Sequence, residues 1–108
     1  MSSQRPFDII RWESPKPPTL DFIQRWMERD GLHPEQQEIA AGTHTAEVKF
    51  TQVMVRTVSA GEVQCSFPGY GVVELHPGDS VEIQPDTLHD IKVISREPAV
   101  LLSSLREK

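Results

Sequence analysis

The sequence predicts an all-β fold, an antiparallel sandwich or barrel, with an N-terminal arm and one amphipathic helix. From about residue 35 onward, apolar and polar side chains alternate in six or seven short segments. Turn signals rich in glycine, proline and aspartate separate these segments every ~8–12 residues, the rhythm of antiparallel strands. Helical spacing of apolar residues is confined to the stretch before residue 31. We therefore expect one compact domain, with the arm and helix in residues 1–34 and the β-body in residues 35–108.

The arm begins with Phe7–Trp12, a short apolar-biased stretch that favours an edge strand, pairing either within the chain or across a dimer. Three prolines follow between residues 13 and 18. Because proline lacks an amide donor and restricts φ, this segment is expected to be an extended connector.

Residues 19–30 are predicted to form the helix. Thr19 is a suitable N-cap, and Gly31 a suitable C-terminal stop. Asp21 in the first turn and Arg29 in the last match the helix dipole. One stripe contains the apolar residues Leu20, Ile23, Trp26 and Met27. We expect this stripe to pack against the outer face of one sheet.

The β-body is read from alternating apolar residues and the turns between them. Strands are expected around Val53 and Val55, Val63 to Phe67, Val73 and Leu75, Val81 and Ile83, Ile91 and Val93, and Val100 and Leu102. Turns are expected at residues 59–62, 68–71, 76–79, 84–87 and 96–98.

Composition excludes several classes of protein. No apolar run approaches the roughly 20 residues of a membrane span, and no apolar segment near the N-terminus resembles a secretory signal. The single cysteine, Cys65, rules out an internal disulfide and a cysteine-based zinc site. The net charge of −5 argues against nucleic acid as a partner. We expect a cytoplasmic protein without a membrane partner.

The segment that ends at His89 resembles the second motif of the cupin superfamily. Gly78, Gln84, Asp86 and His89 stand at the motif positions of glycine, proline, glycine and histidine, so Gln84 and Asp86 depart from the pattern. The resemblance covers about residues 40–103. It implies a jelly-roll barrel, that is, a double-stranded antiparallel β-helix, and it implies a homodimer.

The first cupin motif departs further from the family pattern. Counting back from Gly61, the position of the usual glutamate is Met54, and the two usual histidines fall at Glu47 and Lys49. Of the four metal ligands that the resemblance implies, only His89 is retained. The metal-binding motif is therefore degenerate.

These substitutions disfavour a divalent cation. The ammonium of Lys49 repels a dication, and the thioether of Met54 is a poor ligand for hard metals. We predict no tightly bound metal and no other cofactor. An atypical site of His44, Glu47 and His89 stays open, although His44 and Glu47 share a face only if a bulge separates them.

We expect a polar pocket instead, which binds a small anionic metabolite. Its predicted ligand-binding residues are Glu47, Lys49, Met54, Arg56 and His89. A lysine beside a histidine suits a carboxylate or phosphate. This interpretation depends on strand register, since a shift of one residue would turn Glu47 and Lys49 outward as a solvated pair.

Two alternatives remain open. The barrel could be an enzyme, either an acid–base isomerase that uses Glu47 and His89 or a metal-dependent oxygenase with an atypical His/Glu site. It could also be an interaction protein whose vestigial pocket is filled by Phe50, Met54 and Phe67. No catalytic residue can be assigned from the sequence.

Overall fold

The computed structural model describes residues 5–106, which form eight strands and one helix. In chain order the elements are β1 (Phe7–Ile10), α1 (Leu20–Arg29), β2 (Glu35–Ile39), β3 (Val53–Ala60), β4 (Val63–Phe67), β5 (Gly71–Leu75), β6 (Ser80–Ile83), β7 (Asp90–Val93) and β8 (Ala99–Arg106). The predicted strands from residue 53 onward are thus all present. Their alternating sequences suit strands with one buried face.

The strands form two antiparallel sheets in the jelly-roll arrangement that was predicted. One sheet has the order β1-β6-β3-β8-β2, and the other has the order β5-β4-β7. The main core contains residues from both sheets, among them Phe7, Val58, Phe67, Ile83 and Leu101. Phe7 of β1 stacks on Phe67 of β4 with ring centroids 3.9 Å apart. The barrel interior therefore lies between the two sheets.

The helix occupies its predicted place. The Thr19 side chain accepts a hydrogen bond from the Phe22 amide at 3.1 Å, and Gly31 follows the last turn with φ of 83°. The apolar stripe is narrower than predicted: Ile23 and Met27 are buried, but Leu20 and Trp26 are each 37% exposed. A helix on a sheet buries one line of side chains, and those flanking it stay half-exposed. No helix within residues 5–106 is long and apolar enough to cross a membrane.

The outer face of the larger sheet lies under the helix. Ile23 and Met27 pack with Leu32 against Val55 and Leu102 in a second, smaller core. This contact confirms the predicted packing of the helix on one sheet. Because the helix covers the outer face, the central strand β3 is buried on both faces.

The N-terminal arm pairs within its own chain. β1 is an edge strand that pairs with β6, as the sequence allowed. Beyond it, the Asp79 carboxylate accepts hydrogen bonds from the Trp12 amide at 2.9 Å and the Arg11 guanidinium at 2.8 Å. Gly78 lies directly beneath the Trp12 ring, and a Cβ there would come within 2.4 Å of it. The turn before β6 therefore holds the arm in place.

Candidate functional site

Strand β3 turns alternate side chains into the barrel. Met54 and Val58 belong to the core between the sheets, whereas Val55 belongs to the core under the helix. Arg56 lies between Met54 and Val58 in this alternation and is only 7% exposed. Its register partner on β8 is Ser103. Met54 and Arg56 are therefore both inside the barrel, where the sequence placed them.

Arg56 has few partners for a buried charge. Its Nη1 donates to Ser103 Oγ at 3.3 Å, and within residues 5–106 its Nε has no hydrogen-bond acceptor. The guanidinium carbon lies 5.9 Å from the centroid of the Phe50 ring. Burial lowers the pKa of Arg56 from its ordinary value. An arginine nevertheless stays protonated at neutral pH, so the barrel interior contains a positive charge.

No carboxylate of residues 5–106 forms an ion pair with Arg56. The acidic residue on the same register line is Glu35, which pairs with Ser103 on the far side of β8. Because neighbouring strands are about 4.8 Å apart, the backbones at Glu35 and Arg56 are roughly 10 Å apart. Glu35 is exposed, and none of the ion pairs in residues 5–106 includes Arg56.

His89 enters the barrel from the strand that follows the second motif. It is 1% exposed, and its Nδ1 lies 2.9 Å from the Thr87 carbonyl oxygen. Because a carbonyl oxygen only accepts, Nδ1 carries the proton and Nε2 carries a lone pair. Burial, reinforced by the charge of Arg56, lowers the pKa of His89. His89 is therefore a neutral acceptor at pH 7.

The turn before His89 has a positive φ at the motif's glycine position, although the residue there is Asp86. Asp86 has φ of 61°, and it is the only non-glycine residue with positive φ among residues 5–106. Its amide donates to the Phe50 carbonyl at 2.7 Å. Asp86 occupies the motif's glycine position, and aspartate is one of the few residues that tolerates this conformation.

Glu47 and Lys49 do not join this site. Val48 and His89 form an antiparallel bridge with two hydrogen bonds, so their side chains share the inner face. The flanking residues Glu47 and Lys49 point the other way, and both are exposed. The predicted strand register, which turned them inward, is therefore wrong by one residue. Their separation from His89 also breaks up the acid–base pair of Glu47 and His89.

The atypical metal set is not assembled either. His44 bridges to Lys92, so the five residues from His44 to Val48 oppose the four from His89 to Lys92, and one extra residue bulges out. This bulge puts His44 on the outer face, where its Nε2 lies 3.0 Å from Asp90 Oδ2. Residues 5–106 contain no cluster of three histidine, cysteine or acidic side chains that could hold a metal.

The family's ligand positions do not fit a divalent cation here. Glu47 and Lys49 are exposed, and the interior offers the thioether of Met54, one imidazole and the cation of Arg56. A dication needs three or four nitrogen or oxygen ligands, and a buried guanidinium repels it. The residues present therefore do not make the metal centre that the family resemblance implies.

Two cavities meet at Arg56. The larger has a volume of about 480 Å³ and is lined mainly by side chains of β2, β3 and β8. The smaller, of about 270 Å³, reaches His89 and Asp90. Both are lined by the same three residues, Gln37, Phe50 and Arg56. The positively charged side chain of Arg56 therefore borders both cavities.

Sequence reasoning missed several lining residues. Gln37 lies on β2, whose sequence EQQEI is too polar to signal a strand. Ser103 lies in the last strand, β8. The feature of the sequence that could have identified it is the pair of serines that interrupts an apolar run. The larger cavity is lined by His33, Glu35, Gln36, Gln37, Phe50, Met54, Arg56, Ser103, Ser104 and Leu105.

Comparison with solved structures identifies the architecture. A cupin protein from Bacteroides fragilis superimposes with a TM-score of 0.59 at 20% identity, over 69% of this chain and 65% of that one. The chain has the cupin fold. A DUF861 family protein from Thermotoga maritima aligns over 93% of this chain and 99% of its own length, with a TM-score of 0.60 at 13% identity.

A third cupin is the CENP-C cupin domain of Drosophila melanogaster, with a TM-score of 0.58 at 18% identity. The alignment covers 66% of this chain and 58% of that domain. At these identities the likeness establishes the cupin fold. No protein-family model and no curated protein matches the sequence.

Proposed function

We propose that this cupin-fold protein binds a small organic anion inside the barrel, with the anionic group at Arg56. The observation that supports the proposal is a buried guanidinium without an acidic partner. A buried charge is costly unless it is paired, and leaving one partner of a buried pair unmatched costs ~3–5 kcal/mol. A bound carboxylate or phosphate would supply the missing charge.

The geometry of arginine suits this role. The guanidinium is planar and donates two parallel hydrogen bonds to a carboxylate or phosphate. Nη1 contacts only a neutral hydroxyl, that of Ser103, at a long 3.3 Å. An anion would therefore gain stronger hydrogen bonds than Arg56 now makes. The Phe50 ring beside the guanidinium provides an apolar wall for the rest of the molecule.

The size of the interior also favours binding. The larger cavity, of about 480 Å³, lies in the range of ~300–1,000 Å³ that is usual for small-molecule sites. Phe67, which the vestigial interpretation assigned to filling the pocket, stacks on Phe7 instead. Met54 and Phe50 line the larger cavity without filling it.

The test combines binding and stability in one variant, Arg56→Met. Acetate, butyrate, benzoate, succinate, citrate and inorganic phosphate would be titrated into the protein by calorimetry and by thermal shift. We expect at least one of these to bind the wild type, and to lose tenfold or more in affinity in Arg56→Met, as the loss of a charge-assisted contact implies. The exposed Arg29→Met is the matched control, and we expect it to bind as the wild type does.

Stability without ligand gives an independent readout. Replacing an unpaired buried charge by an apolar side chain of similar length is expected to raise the free energy of unfolding by ~1–4 kcal/mol. Chemical denaturation of Arg56→Met and the wild type would measure this difference. Absence of binding by every one of these anions at millimolar concentration would contradict the proposal, and a destabilised Arg56→Met would contradict its premise that the buried charge is unpaired.

Three other expectations stay predictions. Elemental analysis of the purified protein tests the metal-free pocket, and one equivalent of a transition metal would overturn it. Light scattering tests the homodimer, and cell fractionation tests the cytoplasmic location.

A further inference from the structure

We infer that the anion bound at Arg56 also carries a hydroxyl or ammonium group that donates a hydrogen bond to Nε2 of His89. This inference rests on the proposed function and extends it to a ligand class: small carboxylates with a second, donating group. It comes from the polarity of the two ends of the site, which are opposite.

At one end, the guanidinium of Arg56 offers only donors. A guanidinium has five N–H groups and no acceptor. The ligand group at this end must therefore accept hydrogen bonds, as a carboxylate does.

At the other end, Nε2 of His89 offers only an acceptor. Because Nδ1 donates to the Thr87 carbonyl, the neutral ring has a lone pair at Nε2. Nε2 is buried, and no donor within residues 5–106 reaches it. A ligand group that pairs with Nε2 must therefore donate.

The two ends are connected. The smaller cavity is lined by Arg56, His89 and Phe50. The Phe50 centroid is 5.9 Å from the Arg56 guanidinium carbon and 6.0 Å from the centroid of the His89 ring. A short aliphatic or aromatic spacer along Phe50 would therefore link the two polar groups of one ligand.

Matched ligand pairs test this inference. Butyrate would be compared with 2-, 3- and 4-hydroxybutyrate and 4-aminobutyrate, and benzoate with 4-hydroxybenzoate, by calorimetry on the wild type and on His89→Phe. One added hydrogen bond is expected to strengthen binding about 2–10-fold in the wild type. In His89→Phe this advantage should disappear while the carboxylate without a donor still binds. Comparison of 4-hydroxybutyrate with 4-aminobutyrate shows whether the site prefers a hydroxyl or an ammonium donor.

The exposed His76 is the matched control, since it lies outside the barrel and pairs with Glu62. His76→Phe should keep the donor advantage in full. If the donor adds nothing, or if its advantage survives in His89→Phe, the inference is wrong. The proposed function would still stand, because carboxylates would still bind through Arg56. Failure of every carboxylate, with or without a donor, would overturn the inference, and failure of inorganic phosphate as well would overturn the proposed function.

A measurement on the free protein does not depend on any ligand or variant. Nitrogen-15 NMR of the imidazole rings distinguishes a protonated from an unprotonated Nε2. We expect His89 to be neutral at pH 7 with its proton on Nδ1. A proton on Nε2 would make that atom a donor and would overturn the inference.

Discussion

At the scale of single residues, Asp86 shows how the motif tolerates a substitution. The backbone at residue 86 has φ of 61°, a region that glycine enters freely and other residues enter at a cost of roughly 1–2 kcal/mol. Aspartate is one of the residues tolerated there, because a short polar side chain is able to hydrogen-bond to the nearby backbone in this conformation. The turn therefore keeps its geometry, and His89 keeps its place three residues later.

Replacing Asp86 tests this explanation. We expect Asp86→Gly to keep the fold and to change the free energy of unfolding by less than ~1 kcal/mol, because relief of strain and greater freedom of the unfolded chain oppose each other. Asp86→Val should destabilise by ~2 kcal/mol or more, because a β-branched residue resists positive φ. Urea denaturation of both variants measures the difference. Equal stability of the two would contradict the backbone argument.

At the scale of secondary-structure elements, helix α1 stabilises the fold through a narrow contact. Ile23 is fully buried against the larger sheet, whereas its neighbour Phe22 is 49% exposed. Two adjacent residues of one helix thus face opposite environments. The helix has strong local signals, but its contribution to stability comes from the few side chains that reach Val55 and Leu102.

Alanine substitutions separate these two environments. Ile23→Ala removes buried methyl groups and leaves a cavity, so it should lower the free energy of unfolding by ~2–5 kcal/mol. Phe22→Ala is the matched control on the same helix and should cost less than ~1 kcal/mol, because the ring is already half in water. Chemical denaturation compares the two. A larger loss for Phe22→Ala would show that α1 packs through another face.

At the scale of the whole molecule, Asp79 joins the arm to the barrel across 67 positions of the chain. Burial alone would raise the pKa of Asp79, but hydrogen bonds from the His76 and Trp12 amides and from Arg11 outweigh it and lower the pKa below the ordinary value. The folded state thus favours the ionised carboxylate. By linkage, the unfolded state binds the proton more tightly.

This linkage predicts how stability depends on pH. The contribution of Asp79 is complete above the unfolded pKa of about 3.9 and is lost as the pH falls below that value towards the folded pKa. We expect Asp79→Asn to be less stable than the wild type by ~1–3 kcal/mol at pH 7, since it loses charge-assisted hydrogen bonds. The gap should narrow below pH ~4. Denaturation curves at pH 7, 5 and 3 measure it, and a constant gap would disprove the linkage.

The family resemblance and strand rhythm predicted the jelly roll because alternation is a local property of each strand. Thr19, Gly31 and the turns were readable for the same reason: their signals act over a few residues. β2 was missed because its five residues are held by backbone pairing with β8, while its side chains give no apolar alternation.

Local pattern also placed Met54 and Arg56 on the inner face of β3, and motif spacing identified His89. What it could not determine was the face of Glu47 and Lys49. The bridge between Val48 and His89 turns Glu47 and Lys49 outward, and one extra residue between this bridge and the one at His44 also turns His44 outward. Such a bulge depends on how two distant strands pair, and no residue within the segment specifies it. For the same reason, only the packed sheets reveal that Arg56 lacks an acidic partner, because pairing of buried charges is decided by residues far apart in the chain.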